Sequence, residues 1–224
     1  MAVVRGQTSI RRPTFPVVLA LLIAVIVFVP VVEAVAHLRL GVMLRLAGLA
    51  VPILAVSAAS DRRGHRHAAF ALAAVSILAN GVTFPRGGLP LWIGSAATLS
   101  FLAFTTYLVL RTVITSSRVT PDIISGALAS YVMIGLTSAI AFGIVEARWP
   151  GSIRFAADNH AASFSDLLYF SYVTLLTIGY GDVTPVSNAA RTLAVLEGLT
   201  GMTFTTVLLA VLVAKLLLSD RSSG

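Results

Sequence analysis

The chain has 224 residues, of which 57% are hydrophobic and 11% are charged, whereas about 25% of the residues of an ordinary soluble domain are charged. So much apolar sequence is enough for about six membrane helices of ~20 residues, which excludes a water-soluble enzyme, a nucleic-acid-binding protein and a disordered chain. Because the sequence has no cysteine, it also lacks disulfides, thiolate nucleophiles and cysteine-ligated metals.

Six apolar runs follow one another along the chain, and each is long enough to cross a bilayer. They extend over about 16–36, 41–59, 68–84, 89–115, 123–145 and 189–218. A polar stretch from Glu146 to Phe164 and a short apolar piece from Leu167 to Leu176 separate the last two runs. The short piece cannot span. We therefore predict an all-α membrane protein with six transmembrane helices.

The basic residues predict how these helices are oriented, since cytoplasmic loops retain Lys and Arg. They collect in four groups that fall on one side of the six-span arrangement: Arg5, Arg11 and Arg12; Arg62, Arg63 and Arg66; Arg111 and Arg118; Lys215 and Arg221. We expect both termini in the cytoplasm and the polar stretch after the fifth run outside, in a cell membrane (plasma or inner). Membrane topology thus explains the excess of basic residues, 16 Lys and Arg compared with 9 Asp and Glu.

A signal peptide is the alternative interpretation of the first run. Ala34, Val35 and Ala36 form a small-x-small site of the kind that signal peptidases cleave, although the apolar run before it is longer than the ~7–15 residues of a typical signal peptide. Cleavage there would leave the orientation of the other five helices unchanged.

The segment from Ser163 to Pro185 carries most of the chemistry. Ser165 as N-cap and Asp166 in the first turn predict a helix over residues 165–176, which enters the membrane and stops halfway. In the following string, Thr177-Ile178-Gly179-Tyr180-Gly181, glycine occupies alternate positions, and glycine adopts positive φ without steric cost. Alternating backbone hand turns successive carbonyls to one side. Such backbone at membrane depth is tolerated where it is buried in protein or lines a water-filled path.

The string Thr177-Ile-Gly-Tyr-Gly-Asp182 resembles the selectivity filter of potassium channels. The flanking residues Phe164, Asp166, Tyr169, Phe170, Val173, Thr174 and Pro185 are similar to those of bacterial channels with a single pore loop. The resemblance covers the fifth helix through the sixth. It implies a potassium-selective channel that passes K+ down its gradient without a cofactor. Because one pore loop per chain cannot close a ring, it also implies a homotetramer in the lipid bilayer.

The resemblance assigns roles to the filter residues. The carbonyls of Thr177, Ile178, Gly179 and Tyr180, with the Thr177 hydroxyl, would coordinate dehydrated K+. Gly181 would complete the filter, Asp182 would lie at the outer mouth, and the Tyr180 ring would brace the filter against the pore helix.

Two residues depart from the family pattern. Leu176 stands where Thr or Ser is common, and Phe170 stands where many members have a Trp that donates a hydrogen bond to the filter aspartate. Since Phe has no donor, we expect Asp182 to find another partner, such as Tyr169 or Tyr172.

The sixth helix is expected to line the inner pore. Gly201 stands where the family has a hinge glycine and Gly198 lies one turn before it, although small residues also serve close helix packing. Thr200, Thr205 and Leu209 are candidate cavity-facing residues at helical spacing. Glu197 is either an ion-path carboxylate or a protonated or hydrogen-bonded group behind the pore helix, and we favour the second interpretation.

The predicted organisation has four parts. Residues 1–15 form a cytoplasmic N-terminus, 16–118 a four-helix membrane domain in the position of a voltage sensor, 119–219 the pore domain, and 220–224 a cytoplasmic tail. Within the pore domain, the outer helix precedes the pore helix (165–176), the filter (177–182) and the inner helix (188–218). No arginine lies between Leu89 and Leu110, so we expect no steep voltage gating. The end of the chain, six residues after the sixth helix, predicts no cytoplasmic regulatory domain.

Two other functions remain open at this point. A K+ transporter component of the kind with four pore loops is disfavoured, because the sequence has one such loop and no internal repeat. A non-conducting or regulatory membrane subunit that keeps the pore fold fits the same residues.

Overall fold

The computed structural model describes residues 15–35, 50–59, 63–82, 91–116, 119–155 and 162–221. The predictions for residues 1–14, 36–49, 60–62, 83–90, 117–118, 156–161 and 222–224, and for the Leu209 side chain, lie outside the described part. The elements in chain order are α1 Phe15–Val35, α2 Ala50–Ala59, α3 Arg63–Val82, α4 Leu91–Thr115, α5 Pro121–Arg148, β1 Ile153–Phe155, α6 Phe164–Leu175, β2 Val183–Pro185 and α7 Asn188–Arg221. The predicted helical fold class is therefore confirmed.

Two helical segments among the described residues are long and apolar enough to cross a membrane, Gly94–Thr115 and Pro121–Arg148. Phe15–Val31 and His67–Leu78 are shorter apolar helical segments. The count of six spans stays a prediction.

Helix α5 has clear start signals, and it is the helix on which α1 packs. Its N-cap is Thr120, whose hydroxyl accepts a hydrogen bond from the Ile123 N–H at 3.3 Å, and Pro121 fits the first turn because its missing N–H is not needed there. The Asp122 carboxylate accepts the Phe15 N–H at 2.9 Å, which fixes the first residue of α1 against the start of α5.

Helix α6 begins one residue earlier than predicted, and its N-cap is Ser163 rather than Ser165. The Ser163 hydroxyl accepts the Asp166 N–H at 3.1 Å, and the Asp166 carboxylate accepts the Ser163 N–H at 2.9 Å. This reciprocal capping box satisfies two helix-end donors at once, which a cap at Ser165 would not do. With 12 residues, α6 is about 18 Å long and cannot cross the ~30 Å hydrocarbon core.

Three buried apolar clusters hold these elements together. The first joins α1, α2, α4, α5 and α6, and the second joins α2, α3 and α4. The third lies where the end of α5, β1, α6 and the start of α7 meet, and it contains Phe142, Ile153, Leu167, Phe170 and Ala190. Helix α6 is thus packed between α5 and α7.

A two-stranded antiparallel sheet connects the chain after α5 to the chain before α7. Ile153 lies opposite Pro185, and Phe155 lies opposite Val183. The sheet fixes the segment that follows residue 182 to the region just after α5.

Candidate functional site

The backbone turns back on itself where α6 ends. The Leu176 N–H donates to the Tyr172 carbonyl at 2.9 Å, and the Thr177 N–H donates to the Thr174 carbonyl at 3.0 Å. The Ile178 N–H then reaches the Val173 carbonyl at 2.9 Å. These bonds attach the start of the predicted filter directly to the last turn of the pore helix.

Positive φ occurs at every second residue of the predicted filter: Thr177 at 57°, Gly179 at 62° and Gly181 at 81°. Positive φ is a true outlier at Thr177, because the Cβ of a β-branched residue crowds the backbone in the left-handed region. Thr177 is the only described non-glycine residue with positive φ. An alternating backbone of this kind presents carbonyls in series, and strained backbone of this type concentrates at functional sites.

The side chains of this segment are open to the surroundings in the single chain. Residues 176–182 are all exposed, and Tyr180 is 70% exposed. The Tyr180 ring is therefore largely uncovered by its own chain, and its bracing contact stays a prediction.

Asp182 is held by Tyr169, one of the two tyrosines predicted as its partner. The Tyr169 hydroxyl donates to Asp182 Oδ2 at 2.7 Å, and the Val183 N–H donates to Oδ1 at 3.1 Å. The hydrogen bond to Asp182 raises the pKa of Tyr169 to about 12, so the phenol remains a donor at every physiological pH. Tyr172, the other candidate, instead donates to the Val132 carbonyl at 2.7 Å.

Phe170 fills its position as an apolar core residue. Its side chain is buried, and its ring packs edge-on against Phe142 with centroids 4.7 Å apart. This contact anchors α6 to α5, in keeping with the shape preference of aromatic pairs.

The segment after Asp182 is braced by backbone contacts that the sequence did not reveal. Glu146 accepts hydrogen bonds from the N–H groups of Gly151 at 2.7 Å and Ile153 at 3.0 Å, which closes the turn after α5. The Ser152 carbonyl accepts the Val186 N–H at 2.7 Å. The chain after Asp182 is therefore held against the end of α5. The one sequence signal for this arrangement is an acidic residue, Glu146, close to a turn that contains Gly151.

The two glycines of α7 have different surroundings. A Cβ at Gly201 would collide with the Leu175 carbonyl oxygen at the end of α6, whereas a Cβ at Gly198 would meet nothing within 4 Å. The same Leu175 carbonyl accepts a hydrogen bond from the Tyr131 hydroxyl at 3.0 Å. Gly201 therefore permits close packing of α7 on α6, and α7 is one continuous helix in this structure.

The remaining inner-helix candidates fall into two groups. Thr200 and Thr205 are exposed, and their hydroxyls return hydrogen bonds to carbonyls of their own helix, those of Leu196 and Gly201. Glu197 is only 3% exposed and lies 2.5 Å from the Ser171 hydroxyl oxygen on α6. Of the two interpretations offered for Glu197, this geometry fits the group behind the pore helix.

Comparison with known proteins supplies the family. Residues 102–217, more than half of the chain, match the ion channel family. This stretch contains α5, α6, the Thr177–Asp182 segment and nearly all of α7. No solved structure matches this chain.

Three curated relatives match shorter stretches. The two pore potassium channel c of Oryza sativa subsp. japonica is 35% identical over 92 residues, which are 41% of this chain and 20% of that protein. Protein LctB of Geobacillus stearothermophilus is 50% identical over 46 residues, 20% of this chain and 34% of the relative. The inward rectifier potassium channel Kirbac3.1 of Paramagnetospirillum magnetotacticum is 50% identical over 40 residues, 18% of this chain and 14% of the relative.

The chain therefore spans 14–34% of the length of each of these relatives. The match to the family covers α6, the alternating backbone and the helices on both sides of them, and the family comprises channels rather than enzymes. On this evidence, the chain belongs to the ion channel family.

Proposed function

We propose that the protein is a potassium-selective channel that conducts K+ passively through the carbonyls of residues 177–180. The observation that carries the proposal is the alternating positive φ at Thr177, Gly179 and Gly181, because it gives a row of neutral carbonyl dipoles that can replace a hydration shell. Two of the relatives described above are named potassium channels, which supports K+ as the permeant ion.

A homotetramer is part of this proposal. One chain supplies one carbonyl row, and a closed ring of equivalent rows requires cyclic symmetry. Ile178 and Tyr180, within the filter segment itself, are 47% and 70% exposed in the single chain, which leaves the apolar surface of this segment uncovered. Neighbouring copies would cover it, and the Tyr180 ring would be braced by the adjacent chain.

The proposed membrane arrangement has six spans, with both termini cytoplasmic and Asp182 at the outer mouth, in a cell membrane. The distribution of Lys and Arg supports this orientation. In the same arrangement, the C-terminal ends of four α6 helices point their negative dipole ends at the central axis, which favours a cation there.

Purified protein in liposomes tests the proposal. We expect K+ flux that greatly exceeds Na+ flux, since a fixed carbonyl ring discriminates between the two ions. The measurement compares uptake of each ion under matched gradients, with chemical crosslinking to count chains per particle. Equal Na+ and K+ permeability would contradict selectivity, and tetramers without flux would point to the non-conducting subunit.

Substitution of Tyr169 by Phe tests the role of the outer-mouth hydrogen bond. The variant keeps the ring and loses only the donor to Asp182, so we expect K+ selectivity to be retained while flux declines severalfold faster during sustained conduction. Tyr107→Phe is the matched control, because Tyr107 is an exposed tyrosine on a different helix, α4. An unchanged time course for Tyr169→Phe would show that this hydrogen bond does not stabilise the filter.

A further inference from the structure

Three buried oxygen atoms connect α7, α6 and α5 in a single line. The Ser171 hydroxyl oxygen on α6 lies 2.5 Å from Glu197 Oε1 on α7 and 2.7 Å from the Gly135 carbonyl oxygen on α5. Ser171 is fully buried and Glu197 is 3% exposed. Glu197 Oε2 has no hydrogen-bond partner among the described residues.

The protons in this line can be counted. Both oxygen pairs are at hydrogen-bond distance, so each needs one hydrogen between its two atoms. A carbonyl oxygen only accepts, and a serine hydroxyl has a single hydrogen. The Ser171 hydroxyl must therefore donate its hydrogen to the Gly135 carbonyl. The hydrogen between Ser171 and Glu197 must then come from the carboxyl group.

The surroundings of the carboxyl group agree with this count. The titratable side chains that face it are the phenols of Tyr131 on α5 and Tyr172 on α6, and the Ser138 hydroxyl on α5 is a second hydroxyl in hydrogen-bonding contact with the carboxyl group. No Lys, Arg or His is paired with it in the part of the chain that the structure describes. Burying a carboxylate that has no cation nearby and one oxygen without a hydrogen bond costs a large amount of free energy. Burying a neutral carboxylic acid costs much less.

We propose that Glu197 is a neutral carboxylic acid that donates a hydrogen bond to Ser171 and thereby holds the pore helix against α5 and α7. Glu197 is then a positioning residue, since it acts on the filter through α6, whose Val173 carbonyl accepts the Ile178 N–H. The positioning role of Glu197 rests on the proposed potassium conduction. The protonation state does not.

Infrared difference spectroscopy of the full chain in lipid bilayers tests the protonation state directly. We expect the spectrum of wild type minus Glu197→Gln, at neutral pH, to contain the carbonyl stretching band of a protonated carboxylic acid. Glu146→Gln is the matched control, because both Glu146 oxygens accept backbone N–H bonds. That difference spectrum should contain a carboxylate band. A carboxylate band for Glu197 would overturn the proposal.

A second variant keeps the test decisive if Glu197→Gln does not fold. Ser171→Ala removes the acceptor and leaves the carboxyl group in place, so the acid carbonyl band of Glu197 should shift to higher frequency as its hydrogen bond is lost. A change confined to the carboxylate region would again overturn the proposal.

Flux measurements in liposomes test the positioning role. Glu197→Gln retains a neutral donor for Ser171 and should keep K+ flux within about twofold of wild type, whereas Glu197→Leu has no donor and should lose most of it. Equal loss in both variants would contradict the donor role. If the wild type conducts no K+, the proposed function is contradicted, whereas the protonation state of Glu197 is still decided by the infrared spectra.

Discussion

Gly179→Ala is expected to abolish K+ flux while tetramers still form. Gly179 has φ of 62°, and an L-residue in this region costs about 1–2 kcal/mol, or about 4–8 kcal/mol over the four copies of a proposed ring. Relaxation of that strain would rotate the carbonyls away from the axis. Gly181→Ala, at φ of 81°, should act in the same way.

Flux of K+ into liposomes and the crosslinked size of the particle are the two measurements. A Cβ at Gly179 or Gly181 meets nothing within 4 Å of its own chain, so a lost flux reports on backbone conformation rather than on a clash inside the chain. Gly151→Ala is the matched control, because Gly151 has φ of 82° with equally open space but lies in the turn after α5. Selective conduction by Gly179→Ala, or equal loss in Gly151→Ala, would contradict the carbonyl-row argument.

The sequence predicted the alternating backbone only in part. Gly179 and Gly181 signal positive φ by residue type, but Thr177 does not, because threonine disfavours that region. Its conformation follows from contacts: the N–H groups of Thr177 and Ile178 donate to carbonyls of the last turn of α6. Composition cannot predict a conformation that neighbouring hydrogen bonds impose.

The start of the pore helix was within reach of the sequence. Ser163 stands three residues before Asp166, which is the spacing of a reciprocal capping box. Ser165 also has a capping side chain, but its choice as N-cap leaves the Asp166 carboxylate without the Ser163 N–H that it accepts. The pattern of two residues, rather than the type of one, determines the cap.

The partners of Asp182 and Glu197 show where sequence reasoning stops. Tyr169 and Tyr172 lie three residues apart on one helix, so both face the same general side, and only the packing of α6 on α5 directs Tyr172 to Val132 and leaves Tyr169 for Asp182. The contact of Glu197 with Ser171 joins residues 26 positions apart. No local pattern indicates such a pair.

Gly201→Ala is expected to destabilise the protein by about 1–3 kcal/mol per chain, the usual cost of overpacking, and to reduce K+ flux. The added methyl group would meet the Leu175 carbonyl oxygen. That oxygen is backbone and is also held by the Tyr131 hydroxyl, so it cannot swing aside as a flexible side chain would. The end of α6 must shift instead, and the first filter residues are hydrogen-bonded to that end.

Gly198→Ala is the matched control, one turn earlier on the same helix. Its Cβ meets nothing within 4 Å, and alanine is favoured over glycine in a helix by about 1 kcal/mol, so the thermal midpoint of the purified protein should be unchanged or slightly raised. A hinge role for Gly201 gives a different pattern, because a hinge substitution changes how often the pore opens without lowering the melting temperature. A lower midpoint for Gly201→Ala alone therefore identifies close packing as the reason for glycine at this position, and equal midpoints with altered flux would identify the hinge.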